Sequence, residues 1–546
     1  MSNSISAVGI PHILDEIASH LDRRDFASCV LVSRDFYEIF RPHIWRRLVF
    51  QNTVPSDAQD IAPSQERALQ NNVHWTRNLF VDTSCHQDAL RVLCSTCKGL
   101  TEIKLHMTRS GDWDEASLSQ ILPFVSSNKG LQTCAIRSYS DFTRDAIVQL
   151  TKALSVSHIT DLNLMLVTRP RLGWLENILQ KLPLTLKHLF LQRGRVRADD
   201  IDYIPTDGWP QSYPYLEDVT MVIKVTPFEE IAFLQFLERC PSLKTFSVPQ
   251  MTITETISNL TLLLKDPNHL PNLEALEMCY IHEMSEGQWW NLVSGMQNRI
   301  KKFAFSIPVN TPSTIMYIDL MATSWASNLE SLKIMEQDRI TSEDIQRILT
   351  TCVKLKQFDC LCPWLLLTPN ALSRGSERLP GLKTIMTEGN EYDMPDWVCL
   401  DLEELKITFA DPRDPEAEEP VASQQAVQTA RGIKRVYEQI GRLKKLKELT
   451  VGWCPFTKFS KNVNLDMSLQ SGLEVMGRME SLRMVDVSFI PNINIGSAEV
   501  SWMMKNWPSL KQFVGLRYRY RRMGPDEPVP EYITLMSSER EWLDIS

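Results

Sequence analysis

Apolar residues recur along this chain in a six-residue phrase, apolar-x-x-apolar-x-apolar, that returns about every 27 to 30 residues from Leu100 to the C-terminus. Full copies are Leu100-Ile103-Leu105, Leu186-Leu189-Leu191, Leu243-Phe246-Val248, Leu273-Leu276-Met278, Leu329-Leu332-Ile334, Leu402-Leu405-Ile407, Leu446-Leu449-Val451 and Leu482-Val485-Val487. Weaker copies open at Leu131, Ile159, Leu216, Ile300, Leu355, Leu382 and Leu510. The last four positions of each phrase alternate apolar and polar, the signature of a strand with one buried face. Two earlier strand-like phrases are Leu48-Val49-Phe50 and Leu79-Phe80-Val81. Between phrases lie helical stripes: Ile147, Leu150 and Leu154; Phe228, Ile231, Leu234 and Leu237; Ile345, Ile348 and Leu349. One copy cannot bury its apolar side, so the copies must stack into a continuous core and work by presenting a long surface. Strand then helix, repeated, predicts an α/β solenoid with a parallel sheet inside an arc and helices outside. About fifteen strands at ~4.8 Å each would span roughly 70 Å.

The pattern resembles leucine-rich repeats of the longer, helix-backed kind. Pro241, Pro271, Pro380 and Pro508 stand two residues before a leading apolar position, where the preceding helix must stop. Cys97, Cys240 and Cys352 stand three residues before one, so they read as small buried residues of a recurring structural position. Cys94-x-x-Cys97 and Cys360-x-Cys362 each lack a second pair at ligand spacing, and no metal or other cofactor is expected. Two places break the rhythm. Residues 411–420 read Asp-Pro-Arg-Asp-Pro-Glu-Ala-Glu-Glu-Pro, an acidic, Pro-rich span with little to bury, and predict a loop over about 411–428. A helical stripe, Ile433, Val436, Tyr437 and Ile440, follows it. Arg517-Tyr518-Arg519-Tyr520-Arg521-Arg522 opens the tail and suits either a capping strand or a phosphate-contacting segment.

The N-terminus follows another rule. Ile13, Leu14, Ile17 and Leu21 form one helical stripe; Phe26, Val30 and Ser33 to Phe36 suggest a second helix after the connection Asp22-Arg23-Arg24-Asp25, and Pro42 suits the start of a third. A bundle of about 40 residues is at the lower limit for folding alone, so it must lean on the array or on a partner. The spacing Pro-x-Ile-Leu-x-x-Ile, a Leu four residues on, Asp-Phe, Val-Ser-Arg and a terminal Trp resembles an F-box, with His12 where Glu is common and Phe36 where Trp is common. A plain helical cap for the array would use the same stripe. The F-box resemblance, joined to such repeats, implies a substrate receptor of an SCF-type cullin-RING ubiquitin ligase. In that family the F-box docks on a Skp-family adaptor, and through it a cullin, while the repeats hold a protein substrate. Carried over by position, the adaptor-binding framework is Pro11, Ile13, Leu14, Ile17, Leu21, Val32 and Trp45. The fold expected is an N-terminal three-helix F-box (1–50), a junction and cap (51–99, with 51–72 loose), a curved leucine-rich-repeat solenoid (100–516), and a C-terminal cap and tail (517–546).

Composition narrows the function classes. Hydrophobic residues make up 43% and charged residues 23%, with a formal net charge of −9. No apolar run approaches the ~18 residues of a membrane span, and no secretory signal opens the chain, so an intracellular protein of the cytoplasm or nucleus is expected. The acidic balance argues against a chain-wide attraction to nucleic acid. Phosphate-binding, dinucleotide-binding, serine-hydrolase and zinc-protease motifs are all missing, so the chain is expected to be non-catalytic. The polar positions of the strands should line the concave face, where Lys104, Phe190, Glu277, Lys333, Met335 and Asp359 are the candidate substrate contacts. Their mixed signs with interspersed apolar residues suit a protein partner. Receptor and ligase-independent repeat scaffold are the two functions left open.

Overall fold

The computed structural model describes residues 16–18, 20–50, 63–82, 93, 96–107, 122, 124–139, 144–166, 174–193, 208–223, 227–248, 254–266, 268–278, 285–296, 299–306, 318, 321–335, 342–366, 396–410, 423–451, 467–488, 495–515 and 544–545. The chain forms two compact units, Met1–Gln250 with Asn268–Asn272, and Met251–Pro267 with Leu273–Ser546. The first carries β1 (Arg47–Phe50), β2 (Asn78–Asp82), β3 (Glu102–Met107), β4 (Thr133–Ser138), β5 (Asp161–Leu166), β6 (His188–Arg193), β7 (Asp218–Val222) and β8 (Thr245–Ser247). The second carries β9 (Ala275–Met278), β10 (Lys302–Ser306), β11 (Ser331–Met335), β12 (Gln357–Leu366), β13 (Glu404–Ala410), β14 (Glu448–Val451), β15 (Met484–Asp486), β16 (Gln512–Val514) and β17 (Asp544–Ile545). Within each unit every strand pairs in parallel with the next in sequence.

Fourteen of the fifteen repeat phrases become strands, the exception being the copy opening at Leu382, which lies outside the described residues. The early phrases supply β1 and β2, and β17 is a further strand that no phrase announced. The register follows from the repeat itself. Ile103 pairs with Cys134, Cys134 with Leu162, Leu162 with Leu189 and Leu189 with Val219, so equivalent positions lie side by side. One carbonyl per repeat fixes that stacking. Within each unit, the residue after a leading apolar position and the residue after that both donate N–H to the equivalent carbonyl of the previous repeat. Lys187 and His188 share the Thr160 carbonyl at 2.7 and 3.0 Å, and Lys356 and Gln357 share that of Glu330 at the same distances. In the described copies the apolar positions of the phrase are buried, as at Leu186, Leu189 and Leu191 or Leu402, Leu405 and Ile407.

The cysteine position behaves as the sequence reading expected. Cys97, Cys240 and Cys352 are buried, and so is Cys399, which holds the same place before Leu402 and was overlooked. Cys240 donates its thiol to the Phe236 carbonyl at 3.1 Å, closing the preceding helix. At Asn128 an amide takes the role, donating to the Phe124 carbonyl at 2.9 Å and accepting from the Leu100 N–H at 3.2 Å. Burial pushes the Cys97 and Cys352 thiols up to about 11, which leaves them protonated and unreactive at neutral pH. Cys94 lies outside the described residues, as does the side chain of Cys362, and among the described residues no cluster of His, Cys, Asp and Glu could hold a metal.

Three expectations are corrected. In the helix Pro227–Glu238 the buried apolar residues are Ala232, Phe233, Phe236 and Leu237, whereas Ile231 is 68% exposed. That helix is apolar on nearly every side, so its periodicity alone did not fix its phase. The helix containing Ile433 begins at Ser423, inside the span 411–428 read as a loop; residues 411–422 lie outside the described residues. Its small Gly441 allows close approach to the turn Leu473–Met476, since a Cβ there would meet the Met476 carbonyl oxygen at 2.6 Å. Residues 63–72, expected to be loose, form the helix Pro63–Asn72.

One buried ion pair ties a strand to the helix of the following repeat. Arg193, facing inward at the end of β6, donates to Glu229 from two guanidinium nitrogens at 2.6 and 2.9 Å, with both side chains almost wholly buried. Its guanidinium carbon lies 5.5 Å from the ring centroid of Trp174. Glu229→Gln leaves the buried guanidinium without its counter-charge and should cost roughly 3–5 kcal/mol in urea unfolding, whereas Arg193→Met with Glu229→Leu should recover most of that loss. Leu189→Ala, at a buried position of the same strand, should cost roughly 2–5 kcal/mol. Phe190→Ala, one residue on and half-buried on the polar face, should cost clearly less; equal losses would contradict the inward and outward assignment.

Candidate adaptor-docking and concave-face sites

The N-terminal module is built from short helices pinned by polar caps. Residues 16–18 and 20 are helical, followed by helices Arg23–Cys29 and Arg34–Arg46. The expected connection Asp22 to Asp25 is instead a helix start. The Asp22 carboxylate accepts N–H bonds from Arg24 and Asp25 at 2.7 and 2.9 Å, and the Asp25 carboxylate accepts from the Asp22 N–H at 2.9 Å. Those bonds, led by the one from the Asp25 backbone, hold the Asp22 carboxyl below its ordinary range. Ser33 caps the second helix by accepting from the Phe36 N–H at 3.2 Å, which divides the segment the sequence reading took as one helix. Pro42 falls inside that second helix rather than opening a third.

The module's core is small. Ala18 and Phe40 are buried, with Leu21, Phe26, Cys29, Val30, Phe36 and Ile39 packed partly around them, and the Phe26 ring stacks on His43 at 5.8 Å. Four apolar side chains stay outside: Ile17 is 45% exposed, Leu31 86%, Val32 68% and Tyr37 42%. Among the described residues of the module, two are buried in this cluster and four large apolar side chains are left on the surface. Of the framework positions taken from the sequence, Ile17 and Val32 lie among these exposed residues, Leu21 packs against the core and Trp45 is half-buried. Pro11, Ile13 and Leu14 lie outside the described residues. Leu31 and Tyr37 were missed. The run Val30-Leu31-Val32 carried a signal, because three successive apolar residues cannot all face one core.

No linker separates the module from the strands. The second helix passes directly into β1, which pairs with β2. The Trp45 carbonyl accepts from the Thr76 hydroxyl at 3.1 Å, and the Arg46 carbonyl accepts from the Arg77 N–H at 2.9 Å.

The strands place the concave-face candidates in rows. In the first unit one row runs Phe80, Lys104, Ala135, Asn163, Phe190, Thr220 and Ser247, so Lys104 and Phe190 share a row three strands apart. Lys104 reaches Glu102 of its own strand at 2.6 Å. Beside Phe190, His188 lies between two carboxylates of the flanking strands, Asp218 at 2.6 Å and Asp161 at 3.8 Å. In the second unit the equivalent row runs Glu277, Ala304, Lys333, Asp359, Lys406, Thr450, Asp486 and Val514. Asp359 thus sits between two lysines, 4.0 Å from the Lys333 ammonium. Burial nonetheless pushes its carboxyl above the ordinary range, against the pull of Lys333 and Lys406. Glu277 opens this row two strands before Lys333. Met335 ends β11, and its side chain lies outside the described residues.

Comparison with known proteins gives a family match and a fold likeness. Residues 11–51 match the family model described as F-box-like. No curated protein sequence matches the chain. Among solved structures, the chain is similar to an internalin of Listeria monocytogenes (12% identity, TM-score 0.32, covering 70% of this chain and 82% of that one). It is similar to the complex of Rad7 and Elc1 in yeast (12% identity, TM-score 0.34, 78% and 87%). It is also similar to the leucine-rich repeat-containing protein LegL7 of Legionella pneumophila (12% identity, TM-score 0.29, 57% and 88%). The chain carries an F-box-like domain at residues 11–51, followed by a solenoid of parallel, helix-backed strands.

Proposed function

We propose that this chain is the substrate-recognition subunit of an SCF-type ubiquitin ligase. The observation that carries the reading is the exposed apolar set Ile17, Leu31, Val32 and Tyr37 on the F-box-like domain, beside the described core cluster of Ala18 and Phe40. In this reading a Skp-family adaptor covers that set together with Pro11, Ile13 and Leu14, and connects the chain to a cullin. Leu21 and Trp45 act from behind, Leu21 in the module's own packing and Trp45 at its junction with the strands. The substrate is a protein held on the strand faces, with Lys104 and Phe190 as contacts in the first unit and Glu277, Lys333, Met335 and Asp359 in the second.

The chain supplies no covalent chemistry in this mechanism. It raises the effective concentration of a bound protein near a ubiquitin-carrying enzyme, and transfer then depends on where the substrate is held. The direct passage from the second F-box helix into β1 suits that requirement, because a rigid joint keeps adaptor and first strands in one relation. Among the described residues no helix is long and apolar enough to cross a membrane.

Point substitutions test this better than truncation, since removing residues 1–45 would also remove the helix packed against the first strands. Ile17→Asp with Val32→Asp places charges on exposed positions, so the melting temperature should stay near that of the parent. Buried beneath an adaptor, the same carboxylates would each cost several kcal/mol, so co-purification of a Skp-family adaptor should be lost. The substrate's lifetime in cells should lengthen. Retained co-purification by the double variant, or none by the parent, would overturn the receptor reading in favour of a ligase-independent scaffold.

A further inference from the structure

Stacking puts one residue of every repeat, the one following the leading apolar position, into a column along the N-terminal ends of the strands. In the first unit this column ends Lys187, Glu217, Lys244; in the second it runs Glu274, Lys301, Glu330, Lys356, Glu403, Lys447, Arg483, Lys511. Neighbours in such a column are about 4.8 Å apart, so their charges interact directly. For most of its length the signs alternate and the pairs close. Lys244 reaches Glu217 at 2.6 Å, Lys301 reaches Glu274 at 2.7 Å, Lys356 reaches Glu330 at 2.7 Å and Lys447 reaches Glu403 at 2.6 Å. Hydrogen bonding from the paired lysines holds the Glu217, Glu330 and Glu403 carboxyls below their ordinary range.

The alternation fails at the last described places. Lys447, Arg483 and Lys511 are three cations in succession, and the residues beside them on the strands change from Glu448 to the neutral Met484 and Gln512. Arg483 and Lys511 are exposed, and among the described residues neither has an acidic side chain in ion-pair range. Of the acids around them, Asp401 is engaged by Lys445, Glu403 by Lys447 and Glu480 by Arg478, while Glu448 lies opposite Met484 and Asp544 of β17 opposite Gln512, each one place along the strand from the column itself. Lys444, also exposed, donates to the Arg478 carbonyl at 3.3 Å and adds to the positive charge. A basic patch of this kind on a chain of formal net charge −9 is a local exception to the whole.

We propose that this end of the column is a docking surface for an acidic protein segment, rich in Asp and Glu. The fold itself shows what completes a cation in the column, namely a carboxylate from the neighbouring place. A partner laid across β15 and β16 would supply the acids that the alternation lacks, with its carboxylates on Arg483 and Lys511. The inference is independent of the adaptor reading.

The test is fluorescence anisotropy of a fluorescein-labelled oligoglutamate peptide with the full chain at low salt. Oligothymidylate serves as a phosphate polymer of the same sign. Arg483→Glu with Lys511→Glu should weaken oligoglutamate binding about tenfold. Lys129→Glu with Lys152→Glu, which changes net charge equally at exposed lysines of the first unit, should alter it by less than about twofold. Arg483→Gln with Lys511→Gln should also weaken binding without introducing repulsion, and its melting temperature should match the parent's. No oligoglutamate binding by the parent, equal losses in both reversal variants, or tighter binding of oligothymidylate than of oligoglutamate would overturn the proposal.

Discussion

Everything in the two units depends on one repeated interaction: a single carbonyl per repeat that accepts two N–H groups from the next. It fixes the chain at the entrance to each strand, and the parallel ladder follows in register from that point. Because the register is locked, a residue's neighbours are its counterparts in the adjacent repeats, 24 to 44 positions away in sequence at Arg77–Thr101 and Glu403–Lys447. The apolar positions stack into buried columns, and three places before the leading apolar residue several repeats carry a buried Cys, with Cys240 and, in one repeat, Asn128 tying off the preceding helix. The same rule brings charges into contact. A lysine column would repel itself at strand spacing, and alternating Lys with Glu removes that repulsion.

The N-terminal module obeys a different economy. Among its described residues the core closes around Ala18 and Phe40, and the module is steadied by capped helices and by its fusion to β1. Ile17, Leu31, Val32 and Tyr37 stay outside it. The consequence is a surface that solvent disfavours, presented on a base that the first strands hold still. In the proposed receptor, affinity for the adaptor and its fixed orientation on the first strands would both come from this arrangement.

The polar faces of the strands differ between the units. Around Phe190 the first unit sets a histidine between two aspartates, and the second sets Asp359 between two lysines. Both are mixed-sign surfaces in which each charge already has a neighbour, which favours a partner able to exchange ion pair for ion pair over a uniformly charged polymer.

The periodicity of the sequence by itself determined the class of fold, the strand positions, the inward residues and the recurring cysteine, because each rests on local alternation and on one constraint repeated many times. It also contained the helix stripes at Ile147, Leu150, Leu154 and at Ile433, Val436, Tyr437, Ile440, all buried as read. It misjudged Ile231, where a helix apolar on nearly all sides offers no phase, and it missed the capped turn at Asp22 because a charged run is also what a connection looks like. The exposure of Leu31 and Tyr37, the buried Arg193–Glu229 pair and the exposed cations Arg483 and Lys511 were decided only in three dimensions. Each depends on which side chains from distant repeats or helices become neighbours. Local pattern states whether a residue is suited to the interior; the stacking decides what it meets there.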